Sequence, residues 1–333
     1  MSELKTKEKE LGGQMKTIKS ETEDDIKIIL NHLKHSNQTL KIQTVVLKEI
    51  TDFFTENGFK QLMPVILSPI TDPLAPDPNS SIKKTINIEC YGQKFKLMQS
   101  MILHKQISLI SGAEKIFIIS PNIRIEDEKR ASTGRHCFEF SQVDFEIAYG
   151  RMKDVFKLME SFLVRVIKKV KKECKEELKF FGRKLKVPEK PFKVFTTHEL
   201  EQKYGADWEE ISSKKFKEPF WVTCHKREFY DKEDPSAEGH FLNYDLIYPE
   251  GFGEGLSGGE REYEYEKLIK KLSGREGFLE EFKYYLELSK KGLLVPSAGA
   301  GFGFERLMRF LTGKKHIEEI QLFPRIPGRK VIV

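Results

Sequence analysis

The chain has 333 residues, 39% of them hydrophobic and 32% charged, with a formal net charge of +6 at pH 7 and a mean hydropathy of −0.47. This is the composition of a soluble globular protein; no uninterrupted apolar run approaches the roughly 18 residues of a membrane span, and the opening MSELKTKEKE lacks the apolar core of a secretory signal. The charge is mild and of mixed sign, so it admits an anionic ligand without indicating nucleic acid. Cys90, Cys137, Cys174 and Cys224 form no C-x-x-C pair, which speaks against zinc and for a reducing, cytoplasmic setting.

Residues 1–25 are polar, carry Gly12-Gly13, and read as a loose tail before a single domain over 26–333. Ile42, Val45, Val46, Ile50, Phe53 and Phe54 recur at helical spacing, and Asn57-Gly58 ends that helix through a left-handed glycine cap. FKQLMPVILSP is extended and broken by Pro64 and Pro69, and Pro73, Pro76 and Pro78 stiffen the loop after it. Residues 85–98 alternate as a hairpin turning at Gly92-Gln93, and KIFIIS is a short strand leading to Pro121.

In NIRIE, alternation places Arg124 and Glu126 on one face. In FEFSQVDFEI it places Glu139, Ser141, Val143, Phe145 and Ile147 on one face, and Phe138, Phe140, Gln142, Asp144 and Glu146 on the other. Residues 152–177 form one long amphipathic helix, with the basic stretch 165–193 as its solvated face and a lysine-rich loop. Residues 216–224 are a buried strand, and the strand NYDLIY leads into the glycine-rich GFGEGLSGG. Helices follow over about 261–272 and 276–289, and a last helix, 304–312, is apolar all round and therefore central. There is no GxxxxGK[ST] loop, and the GAGFG run lacks the strand before it and the acid after it that a dinucleotide site requires.

Three segments carry complementary chemistry. GAGFGFER supplies Gly299, Gly301, Gly303 and Arg306; the charged strands around 124–146 supply Arg124, Arg135 and His136; DLIYPEGFGEGLSGGERE supplies Asp245, Glu254, Ser257 and Arg261. Together they offer cations for a triphosphate, carboxylates for its magnesium and glycines that let backbone approach. A solvated sheet face is the commoner meaning of such a hairpin. Here Phe140 stands in line with Gln142, Asp144 and Glu146, opposite Arg124, which suits a purine on the ring with phosphates running to arginine.

Over about residues 40–333 these segments resemble the catalytic core of class II aminoacyl-tRNA synthetases, in the aspartyl/asparaginyl branch. Helix 42–57 with Pro64, Arg124-x-Glu126 through FEFSQVDFE, and GFGFER are similar to that family's three ordered motifs. The resemblance implies an α+β fold, an antiparallel sheet flanked by helices, acting as a homodimer. Two departures stand out. About forty mostly polar or helical residues precede the first motif, too few for the branch's anticodon-reading β-barrel. The branch's amino-acid loop reads SMILHKQ, retaining Ser100, Lys105 and Gln106 but carrying Ile102 in place of a glutamine. Lysine at position 105 accompanies aspartate binding in the family, since a buried ammonium suits a second carboxylate better than an amide.

A core that binds aspartate and has no anticodon module resembles the archaeal asparagine synthetases related to these enzymes. That resemblance implies aspartate, ATP and free ammonia giving asparagine, AMP and diphosphate through a β-aspartyl adenylate, with no tRNA as partner. It implies Arg124 on the α-phosphate, Phe140 and Arg306 on the two faces of adenine, Arg135 and His136 on the outer phosphates, and Gly303 beside the nucleotide. Magnesium falls to Asp245, Glu254 and Ser257, aspartate to Ser100, Lys105, Gln142 and Arg261, and the base for ammonia to Glu126, Asp144 or Glu146. A truncated aspartyl- or asparaginyl-tRNA synthetase and a non-catalytic regulatory paralogue are the alternatives.

Overall fold

The computed structural model describes residues 21–34, 36–72, 82–225 and 229–332. Most of the tail and the loop carrying Pro73, Pro76 and Pro78 therefore lie outside the described residues. Residues 21–25, read above as the end of the tail, open a helix over 21–33.

The strands are β1 (Lys60–Gln61), β2 (Leu67–Ser68), β3 (Ile82–Lys84), β4 (Asn87–Cys90), β5 (Gln93–Leu97), β6 (Lys115–Ile123), β7 (Ile125–Glu126), β8 (Glu139–Ala148), β9 (Lys193–Thr196), β10 (Phe220–Thr223), β11 (Asn243–Tyr248), β12 (Gly253–Glu260) and β13 (Ser297–Gly303). Eight of them form one mixed sheet in the order β1-β6-β8-β13-β12-β11-β10-β9. Its centre, β6 through β10, is antiparallel, and its two edges are parallel. This is the expected α+β architecture.

Alternation sorts the sheet into two faces. Val143, Phe145, Ala300, Phe302, Tyr244 and Leu246 point to the back, where they bury with Ile42, Val46, Ile50 and Phe54 of helix Ser36–Glu56 and Val155, Met159, Phe162 and Val166 of helix Met152–Glu173. Helix Phe304–Thr312 closes the same core. It is central as expected but not apolar all round, since Glu305 and Arg309 are buried in it. Gly58 adopts the left-handed conformation that ends the first helix, with φ of 82°.

Several boundaries differ from expectation for physical reasons. The hairpin turns at Tyr91-Gly92, both with positive φ, as a two-residue primed turn demands. Strand β6 runs through Pro121, whose nitrogen points away from β8 where β1 no longer pairs, so no ladder bond is lost. The long helix breaks at Cys174 into Met152–Glu173 and Lys175–Phe180. The helices after β12 are shorter: Tyr265–Leu272, Phe278–Glu281 and Lys283–Lys290. The two glycine-rich segments are themselves central strands. A Cβ at Gly255 would meet the Tyr248 ring at 2.3 Å, and one at Gly258 would meet the Gly299 carbonyl at 2.4 Å. Glycine is there because neighbouring groups approach too closely for a side chain, despite its low strand propensity.

Candidate functional site

On the front face the polar residues fall into rows. Asp144, Gly301, Ser257 and Asp245 are register partners across β8, β13, β12 and β11; Glu146, Gly299, Gly259 and Asn243 form the next row, and Gln142 faces Gly303 in a third. The glycines of β13 make the floor of a trough. A Cβ at Gly301 would lie 2.1 Å from Gln142 Nε2 and 2.6 Å from Asp144 Oδ1, and one at Gly299 would lie 2.2 Å from Glu146 Oε2. The spacing G-x-G-x-G thus matches the alternation of Q-x-D-x-E, whose side chains lie over it.

The inner end of the trough is a buried ionic cluster. Helix Ile102–Ser108 delivers Lys105, whose Nζ donates to Asp144 Oδ1 at 3.2 Å, the Phe145 carbonyl at 3.3 Å and the Ala300 carbonyl at 3.1 Å, and lies 3.4 Å from Glu146 Oε2. An ammonium has three donors, so Lys105 is fully used by the protein. Arg261 donates to Glu146 at 3.1 and 3.4 Å and to the Gly299 carbonyl at 3.0 Å, and its Nη1 lies 3.8 Å from Asp231 Oδ1. Burial draws its pKa down, but Glu146 and Asp231 outweigh that and the net shift is upward, so it stays charged. Ser297 donates to Glu146 at 2.9 Å and Asn243 to Asp231 at 2.9 Å. Two buried cations thus face three buried carboxylates, and Asp144 Oδ2 has no hydrogen-bond partner among the described residues. Ser100 is also buried here, its Oγ accepting from the Ile102 N–H at 3.3 Å.

At the outer end, Arg124 stacks its guanidinium over Phe140 at 5.1 Å. Its Nε donates to the Gln99 carbonyl at 3.0 Å and its Nη2 to Gln142 Oε1 at 3.3 Å. Arg306 donates to the Arg135 carbonyl at 3.4 Å and pairs with Glu254 at 3.3 Å. Arg135 is paired with Glu209. His136 is pushed down to about 2 by burial first and then by Arg306, Arg135 and Arg130, so it is a neutral hydrogen-bonding group, 2.6 Å from Thr133 Oγ1.

Glu126 departs from its expected place. Its N–H bonds to the Arg124 carbonyl at 2.9 Å, which breaks the alternation, and it lies on β7 against β3 instead of on the front face of the main sheet. Sequence reasoning missed Asp231, Asn243, Gln99 and Glu209. The isolated bridge to Arg261 brings in Asp231, the packing of helix Trp208–Lys215 brings in Glu209, the register of β11 on β12 brings in Asn243, and the bond from Arg124 brings in the Gln99 carbonyl; no local pattern announces these contacts.

The family model for tRNA synthetases class II (D, K and N) matches residues 22–327. The chain belongs to that family. Among the relatives of this chain, the asparagine–tRNA ligase of Thermoplasma acidophilum is 30% identical over 307 residues, covering 86% of this chain and 68% of that protein. The aspartate–tRNA(Asp/Asn) ligase of Methanopyrus kandleri is 30% identical over 325 residues, covering 92% and 71%. The solved asparaginyl-tRNA synthetase from Pyrococcus horikoshii in complex with asparaginyl-adenylate superposes with a TM-score of 0.77 at 25% identity, over 90% of this chain and 70% of that one. These relatives are tRNA ligases, and they overturn the expectation of an aspartate–ammonia ligase. The exclusion of tRNA as a partner loses its support with it.

The expected magnesium ligands are all oxygen donors on the front face. Asp245 faces Ser257, and Glu254 faces Ile247, two residues along β11. Asp245 lies 3.3 Å from His225 Nε2. Among the described residues no group of three or more His, Cys, Asp or Glu could hold a metal ion by itself. Two carboxylates, with the remaining positions left to water and phosphate, fit the hydration habits of magnesium.

Proposed function

We propose that this chain is the catalytic core of an aspartyl/asparaginyl-type tRNA ligase, activating aspartate with ATP to an aspartyl adenylate and transferring the acyl group to tRNA. The observation that carries the reading is the trough itself. One face of one sheet holds a buried ionic cluster at its inner end and Arg124, Arg135 and Arg306 at its outer end, separated by a floor of glycines. Asp144, with a buried oxygen still to be bonded, suits the substrate's α-ammonium. Arg261 suits its side-chain carboxylate, and Lys105, whose donors are bonded to the protein, adds positive charge behind it, with Ser100 and Gln142 alongside. Phe140 takes the adenine, and Arg306 covers its other face beside Gly303.

In this arrangement an α-carboxylate oxygen of aspartate attacks the α-phosphorus in line as diphosphate departs. Arg124 gains in worth as charge grows on the phosphorus oxygens. Arg135 and the neutral His136 bond the outer phosphates. Magnesium, when bound, neutralises phosphate charge; Asp245, Glu254 and Ser257 are the residues to hold it.

The test is amino-acid-dependent exchange of labelled diphosphate into ATP, run with aspartate and with asparagine, followed by charging of tRNA. Exchange driven by aspartate, together with acyl transfer to tRNA, is the expected result. Exchange driven by asparagine alone overturns the substrate assignment, and no exchange with either leaves a non-catalytic paralogue. Arg124→Ala is expected to slow exchange about 10²- to 10³-fold, the usual cost of losing a transition-state donor.

A further inference from the structure

Glu209 lies on helix Trp208–Lys215, between the second and third motifs. Its Oε1 accepts from Arg135 Nη1 and from the backbone N–H of Glu254 at 3.1 Å. Glu254 pairs in turn with Arg306 at 3.3 Å, and Arg306 donates to the Arg135 carbonyl at 3.4 Å. The four residues close a ring across the triphosphate end of the trough, two cations against two carboxylates. Gly253 makes room for it: a Cβ there would lie 2.6 Å from Arg135 Nη1 and 2.8 Å from Glu209 Oε1. The pair is about three-quarters shielded from solvent, at 26% and 28% side-chain exposure.

We infer that Glu209 is a positioning residue that holds Arg135 as a counter-charge and limits its grip on the outer phosphates, so that diphosphate is released. The inference rests on the reading of the trough as an ATP site. Nucleotide phosphates and the Glu209 carboxylate compete for the same guanidinium, and a fixed anion at that distance opposes each phosphate charge brought in. Its influence therefore grows with the number of phosphates and vanishes for the nucleoside. A merely structural role, such as holding the start of β12, would affect adenosine and ATP alike.

The experiment is calorimetric binding of adenosine, AMP and magnesium ATP to the wild type, Glu209→Gln and Glu209→Asp, with inhibition of exchange by diphosphate as a second readout. Glu209→Gln is expected to leave adenosine unchanged and to tighten ATP and diphosphate about three- to tenfold, the scale of one charge in a part-solvated site. Glu209→Asp, which keeps the charge, stays near the wild type. ATP binding that is unchanged or weakened in Glu209→Gln overturns the inference, as does equal tightening of adenosine. A wild type that binds no ATP overturns the reading of the site as well.

Discussion

Lys105 shows how one buried charge sets both stability and chemistry. It lies 1% exposed between Asp144 and Glu146, and its three donors are already spent on the protein. Lys105→Met leaves Asp144 without its cation, while Glu146 keeps Arg261, and should cost about 3–5 kcal/mol, the range for breaking a buried pair from one side. Urea unfolding measures the loss, and adding Asp144→Asn should recover part of it; a loss under 1 kcal/mol would show that the cluster is not held by this cation.

Glu305 is a second buried acid with a different consequence. Both its oxygens accept from Ser141 N–H, at 2.9 and 3.0 Å, taking over the ladder where β13 ends at Gly303 and turns into helix. Burial raises its pKa to about 7 against the bonds from Ser141 and Gln321 that lower it. The folded state therefore keeps a proton that the unfolded chain loses near pH 4.5. Its contribution to stability is complete below that pH and is lost as pH rises through about 7, on the order of 3 kcal/mol in all. The melting temperature of Glu305→Gln should accordingly fall less than that of the wild type between pH 5 and 7.5. Parallel curves would remove Glu305 from the titration.

At the scale of elements, the organising feature is the match of two period-2 patterns on adjacent strands. Gln142, Asp144 and Glu146 on β8 lie over Gly303, Gly301 and Gly299 on β13. Gly301→Ala would press on Gln142 and Asp144, both flexible side-chain ends, so the protein should fold while aspartate-dependent exchange drops. Gly258→Ala instead meets a backbone carbonyl at 2.4 Å and should cost stability, about 1–3 kcal/mol as other overpacked cores do. Thermal melts with exchange rates separate the two. Equal loss of stability in both would show that the side chains over Gly301 cannot move. On the opposite face, the basic stretch 165–193 is partly neutralised: Arg165 pairs with Glu49 and Glu56, and Lys169 with Glu173 at 2.9 Å. This agrees with its reading as a solvated face.

At the scale of the whole molecule, the extended segment after the first helix leaves Met63, Val65, Ile66 and Leu67 exposed at 78, 39, 51 and 40%. Clustered apolar exposure of this kind marks an association surface, and it falls on the segment that resembles the family's first motif, in a chain for which the resemblance implies a homodimer. Sedimentation at micromolar concentration is expected to give twice the 38.8 kDa chain mass, and Ile66→Glu to shift it to monomer. A monomeric wild type under those conditions would rule this surface out as a stable dimer contact.

The helices of the back face, the alternation of FEFSQVDFEI and the position of Arg306 after a glycine run are determined by the sequence alone, because helical and strand periodicities are local and place side chains on faces without reference to anything distant. The family could be read for the same reason, since its motifs are short contiguous runs. The strand character of GEGLSGGE and SAGAGFG was hidden, because glycine's value there depends on Tyr244, Tyr248 and Glu146 approaching from other strands. The γ-turn that removes Glu126 from the site was hidden too. So were Asp231 and Glu209, which reach Arg261 and Arg135 only through contacts at sequence separations of 30 and 74 residues. Tertiary structure alone decides which charges share a buried site. The cost of an unpaired buried charge is met by whichever partner the fold brings near, and nothing in the spacing of residues records that partner.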